Sequence, residues 1–126
     1  MTDQAIEQEI QDKCLTAPRI TPDDVEANII GEAYFTGEQG RAAAVAPDGS
    51  TPERGYFSRP GQHRPLSLLT FCVLVLRNGF TVTGESACAS PENFDAELGR
   101  KIARQNAVSK VWPLMGYELR SRLYAD

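Results

Sequence analysis

No stretch of this chain is apolar for long enough to cross a bilayer. The longest run, Phe71–Leu76, is six residues, whereas a spanning helix needs about 20. Cysteine is scarce: Cys14, Cys72 and Cys88 are odd in number and nowhere spaced C-x-x-C, which excludes a disulfide framework and argues against structural zinc. Histidine occurs once, at His63, in a stretch without the acid or cysteine neighbours that a metal ligand or a general base would use. The G-x-S-x-G, G-x-G-x-x-G, H-E-x-x-H and phosphate-loop patterns are all missing. An excess of positive charge is missing too. The net charge of −4 argues against non-specific attachment to nucleic acid or to an anionic membrane. The opening M-T-D-Q-A-I-E-Q-E-I is acidic and polar rather than apolar, so no signal peptide is expected and the chain is expected to stay in the cytoplasm.

What is present centres on residues 68–88. An apolar run, Leu68–Leu76, is followed by Arg77-Asn78-Gly79 and a second, alternating run from Phe80 to Cys88. Asn-Gly between two such runs predicts a β-hairpin with a type I′ turn, which needs positive φ at both central residues. The first strand is apolar on both faces apart from Thr70, which predicts a central strand covered on two sides. Cys72 and Cys88 read as small buried hydrophobes, and Phe80 as core.

Around the hairpin the sequence predicts helices. Thr2 and Asp3 cap one running to about Leu15, with a thin stripe of Ile6 and Ile10. Thr21-Pro22-Asp23-Asp24 starts a second, whose Val25, Ile29, Ile30 and Ala33 face the core and which Tyr34 and Phe35 close before Gly37. From Gly37 to Pro65 no periodicity survives, and this stretch reads as a flexible or lid-like insertion within a single domain of residues 1–126. Its Arg54, Tyr56, Phe57, Arg59, His63 and Arg64 mix bases with aromatics. Ser90-Pro91-Glu92 starts a short turn ending near Phe94. Asp95 caps a helix to about Trp112 with Leu98, Ile102 and Trp112 as its stripe. Pro113 stops or kinks that helix before a last one, Leu114–Tyr124. The fold class is α+β: a small antiparallel sheet built on the central hairpin and packed by helices from both ends of the chain.

Charge is unevenly spread. Residues 1–36 hold eight acids and two bases, and residues 90–126 five acids and six bases. Arg100 and Arg104 share a helix face with Lys101 beside them. Three cations mid-helix are either a solvated face or a seat for an anion.

The run L-T-F-C-V-L-V-L-R-N-G-F-T-V-T-G-E-S-A-C-A-S-P-E-N-F-D-A-E-L-G-R-K-I-A-R-Q-N-A, followed by V-W-P-L-M-G-Y-E-L-R-S-R-L, resembles the type 1 Thoeris anti-defence family of small tailed-phage proteins. The resemblance covers residues 19–36 and 68–123, densely in the second block. It implies a sponge in the cytoplasm of the infected bacterial host. Such a protein is not an enzyme and uses no cofactor. It sequesters glycocyclic ADP-ribose (gcADPR), the messenger that TIR-domain Thoeris proteins make from NAD, without degrading it. It also implies a homo-oligomer, as dimers and hexameric rings, and for some members separate sites for the cyclic trinucleotides of CBASS defence.

A ligand of that kind needs a plane for its base and cations for its diphosphate. The residues nominated for it are Phe94, Arg104, Arg120 and Arg122, with Asn93 and Arg100 behind them; Arg19 and the loop arginines are nominated for a second ligand class. Each has a plainer reading. Phe94 can serve as a staple between the short turn and the long helix, and Arg120 and Arg122, two apart, point to different helix sides. The rival function is inhibition of a host or defence protein by direct contact through the acidic N-terminal helix, and a second rival is a nucleotide hydrolase. Nucleic-acid binding ranks last on charge grounds.

Overall fold

A computed structural model describes residues 2–15, 17–58 and 64–125. Arg59 and His63 lie outside the described residues, as do the side chains of Tyr56 and Arg64. The elements run α1 (Asp3–Asp12), α2 (Pro22–Asn28), β1 (Ile29–Thr36), α3 (Gly37–Ala43), β2 (Leu69–Leu76), β3 (Thr81–Ala87) and α4 (Ala96–Ala125), with 3₁₀ turns at Gly55–Ser58, Arg64–Leu68 and Pro91–Asn93. The class is α+β as expected. One antiparallel sheet in the order β1-β2-β3 carries α4 across a single face.

The hairpin is where the sequence puts it, but its turn differs. Gly79 N–H donates to the Leu76 carbonyl and Leu76 N–H to the Phe80 carbonyl. Gly79 takes φ +87 while Asn78 stays at negative φ, the pattern of a type I turn closed by a G1 bulge. Phe80, expected in the core, is 56% exposed just after this turn.

Strand β1 replaces the second half of the predicted helix. The Thr21 cap is real, with Asp24 completing a capping box, yet the helix ends after Asn28 and Ile29–Thr36 pairs with β2. Ile29-Ile30 and Tyr34-Phe35-Thr36 are β-branched and aromatic, and they gain more on a pleated surface than in a helix. The segment expected to lack structure opens with α3, whose Thr36 and Gln39 form a second capping box.

On the helix-covered face Thr70, Cys72, Leu74 and Leu76 are buried beneath Gly99, Ala103, Ala107 and Val111 of α4. The expected stripe is displaced: Leu98 and Ile102 are 53% and 40% exposed. Small residues four apart let the helix backbone lie close to the sheet. Contact is tightest at Gly84, where a Cβ would stand 2.2 Å from the Ala103 carbonyl oxygen and 2.3 Å from Ala107 N. Cys72 is fully buried, and burial raises its thiol pKa. Cys88 is only half-buried and donates its S–H to the Ser90 carbonyl.

Among the described residues the second face of β2 is covered only in part. Phe71, Val73 and Val75 lie on the far face with Ala33, Phe35 and Thr83, and among the described residues α3 and the 64–68 turn cover only the Phe35–Leu69 end. Nor do two helices follow the hairpin: α4 runs unbroken through Pro113. At the outer rim of β3, Asn106 Nδ2 donates to the Glu85 carbonyl at 2.8 Å.

Polar contacts hold α1 in place. Arg19 clamps the Glu7 carboxylate, with Nη2 at 2.8 Å from Oε2, and Trp112 Nε1 donates to Asp3 Oδ2 at 3.1 Å. The Arg19 hydrogen bond, ahead of one from Gln11, lowers Glu7 from 4.5 to about 2. A depressed carboxylate stabilises fully above its unfolded pKa and loses that contribution as pH falls through the folded one. Docking of α1 is therefore expected to weaken between about pH 4.5 and about 2. Fluorescence of Trp112, the single tryptophan, followed in an acid titration reads this out. Glu7→Gln should remove that acid-dependent component; an unchanged titration would refute the clamp.

Candidate functional site

Two cavities take in four of the nominated residues: Phe94 and Arg100 in one, Arg19 and Arg122 in the other. The first is an open groove of about 360 Å³ lined by Tyr34, Phe35, Thr36, Gln39, Thr70, Phe94, Ala96 and Arg100. Its parts come from the end of β1, the start of α3, β2 and the first turn of α4. Asp95 fixes where α4 begins by accepting the Leu98 N–H at its Oδ1. That cap sets Phe94 just outside the helix and Arg100 one turn inside it. Phe35 is held by Phe71, their ring centroids 5.5 Å apart at 30°. Gln39 spends its carbonyl oxygen on Thr36 N, which leaves its amide N–H₂ to donate elsewhere.

Tyr34 forms one wall. Its hydroxyl donates to Glu32 Oε2 at 2.6 Å, and burial, then the Glu32 carboxylate, raises the phenol pKa. Arg100 has no carboxylate partner among the described residues. The groove is thus lined by the aromatic residues Tyr34, Phe35 and Phe94, by hydroxyl and amide groups, and by one guanidinium that makes no ion pair among the described residues. That donor set suits a ligand with a flat base and a phosphate.

The second cavity, about 480 Å³, is lined by Arg19, Arg77 and Arg122 together with Asn28, Asn78 and Met115. It is larger, but its cations are engaged. Arg19 is clamped on Glu7, Arg122 pairs with Glu118 at 3.3 Å, and Arg77 Nε donates to the Ala27 carbonyl at 2.6 Å.

The nominated residues do not meet in one place within a chain. Phe94 and Arg100 share the groove, and Asn93 is exposed in the turn preceding it. Arg104, a turn beyond Arg100, forms a bidentate pair with Glu26 at 2.8 and 3.0 Å and reaches Glu32 at 3.3 Å; this pairing lowers Glu26 and raises Arg104 from their ordinary values. Arg120 lies over the Tyr124 ring at 5.7 Å. Twenty residues at about 1.5 Å each place it roughly 30 Å along α4 from Arg100. Arg122 instead joins Arg19 in the second cavity. Tyr34, Phe35, Thr36 and Gln39 escape the sequence reading because residues 29–36 read as helix and residues 37–65 as unstructured; Thr70 reads as a strand residue with no spacing that ties it to Phe94. The Thr36-x-x-Gln39 spacing was a legible helix start.

The model of the phage protein (N4 Gp49/phage Sf6 gene 66) family matches residues 20–123. The chain belongs to this phage protein family. The family span takes in every residue of the Phe94–Arg100 groove and begins just after Arg19, so α1 lies outside it. No curated protein and no solved structure matches the chain. No helix among the described residues is long and apolar enough to cross a membrane.

Proposed function

We propose that this phage protein binds gcADPR in the Phe94–Arg100 groove and holds it unchanged, keeping the messenger from its effector in the host cytoplasm. The observation that carries the reading is the meeting, in one groove, of aromatic residues with a guanidinium that makes no ion pair among the described residues. The resemblance of residues 68–123 to the Thoeris anti-defence family supplies the ligand's identity. Adenine stacks on an aromatic wall, the diphosphate meets Arg100, and the Gln39 amide and Thr70 serve the ribose hydroxyls.

Magnitudes ask for more than one chain. Nanomolar binding corresponds to about −12 kcal/mol, whereas one charge-assisted contact and one stacked base give ~1.5–3 and ~1–3 kcal/mol. Enclosure by a second copy supplies the remainder, in keeping with a dimer or hexamer. Incubation with gcADPR followed by heating tests the function. Recovery of intact messenger supports sequestration, its disappearance would mean turnover, and absence of heat in calorimetry would reject both. A stoichiometric host protein captured equally well by Arg100→Ala would favour direct inhibition of a protein instead.

A further inference from the structure

The sequence offers Arg104 as a ligand cation, yet its guanidinium is occupied. Two of its nitrogens grip the Glu26 carboxylate of α2, and its Nε and Nη2 lie 3.3 Å from Glu32 of β1. Glu32 in turn accepts the Tyr34 hydroxyl at 2.6 Å from its neighbour two residues along the same face of β1. The chain Arg104–Glu32–Tyr34 therefore ends on a wall of the groove. Tyr34 is half-buried, sits on the rim strand and packs on the core only in part. Among the described residues no strand lies on the outer side of β1, so the hydroxyl bond to Glu32 helps to fix which way the ring faces.

We propose that Arg104 is a positioning residue: through Glu32 it holds the Tyr34 ring as the stacking wall for a planar purine, without touching the ligand itself. This rests on the proposed nucleotide site. A ring held at both ends stacks on a base without losing further freedom on binding. A carboxylate carrying Arg104 on one side and the phenol on the other forms a cooperative unit rather than two separate contacts.

A double-mutant cycle read by calorimetry with gcADPR separates this role from direct contact. Arg104→Ala should weaken binding roughly threefold or more in the wild-type background and have no further effect in Tyr34→Phe, where the link is already cut. Tyr34→Ala, which removes the plane, should weaken it roughly 5- to 100-fold. Arg104→Gln serves where the alanine variant folds poorly, and thermal melts accompany every variant. An Arg104 effect of equal size in both backgrounds, or none in either, overturns the proposal while leaving the groove's ligand intact. Failure of the wild-type protein to bind gcADPR rejects the parent reading and this one with it.

Discussion

Gly84→Ala is expected to remove a large share of the chain's stability, by at least ~3 kcal/mol, with a fall in Tm of about 10 °C or more. The added methyl would meet the Ala103 carbonyl oxygen at 2.2 Å and Ala107 N at 2.3 Å. Both are backbone atoms of a helix buried against the sheet, so no side-chain rotation can relieve the overlap. Relief requires lifting α4 from β3, which uncovers Cys72, Leu74 and Val82 together. Gly116→Ala is the matched control. It lies in the same helix with nothing within 4 Å of the new methyl, and it should gain roughly 0.5–1 kcal/mol from helix propensity. Melts of the two variants side by side check the claim; similar shifts in both would refute the close approach.

Arg100→Ala should weaken gcADPR binding roughly 10- to 100-fold, the worth of one charge-assisted contact, and leave the melting temperature within about 2 °C. The reason for the second half is local: Arg100 is exposed and makes no ion pair among the described residues, so folding does not depend on it. Phe94→Ala, losing a stacking plane, should cost roughly 5- to 100-fold in affinity. Arg120→Ala lies roughly 30 Å along α4 and should change binding less than about threefold. Calorimetry at fixed ionic strength reads all three. An unchanged affinity in Arg100→Ala would remove the groove from consideration. Equal losses at Arg100 and Arg120 would show instead that the far end of a second copy's α4 closes the site.

The sequence carries the centre of this fold better than its flanks. Asn78-Gly79 between two β-rich runs locates the hairpin, and Thr2, Thr21 and Asp95 mark helix starts whose side-chain caps form. Strand β1 was not legible because Val25, Ile29, Ile30 and Ala33 also satisfy a helical spacing over so short a run. Its pairing with β2 is a long-range contact that local pattern does not encode. The buried stripe of α4 was hidden for another reason. Gly99, Ala103 and Ala107 carry little apolar bulk, whereas the bulkier Leu98 and Ile102, which mark a stripe in the sequence, turn outward. Pro113 did not end the helix, although an interior proline costs about 3 kcal/mol; packing of Val111 and Met115 on either side favours continuation.

The candidate site divides in the same way. Phe94 and Arg100 follow from the Asp95 cap and the helical repeat, so they could be named from sequence. The opposite wall comes from β1 and β2, and a residue set spread over three elements has no spacing to read. Arg120 and Arg122 lie too far along α4, by rise per residue, to share a groove with Arg100 within one chain. An α-helix separates what the sequence clusters, and Glu26 and Glu32, far upstream, had already claimed Arg104.

The Asn106 amide on the Glu85 carbonyl has a last effect, on how the molecule can grow sideways. It occupies an outward acceptor of β3, so an incoming strand on that flank would first have to displace a side chain anchored in α4. Lateral annealing of sheets is blunted there, the usual protection against fibril templating. Among the described residues the flank of β1 has no such plug across Glu32 and Tyr34, and a polypeptide that zips onto it would run alongside the Tyr34 ring.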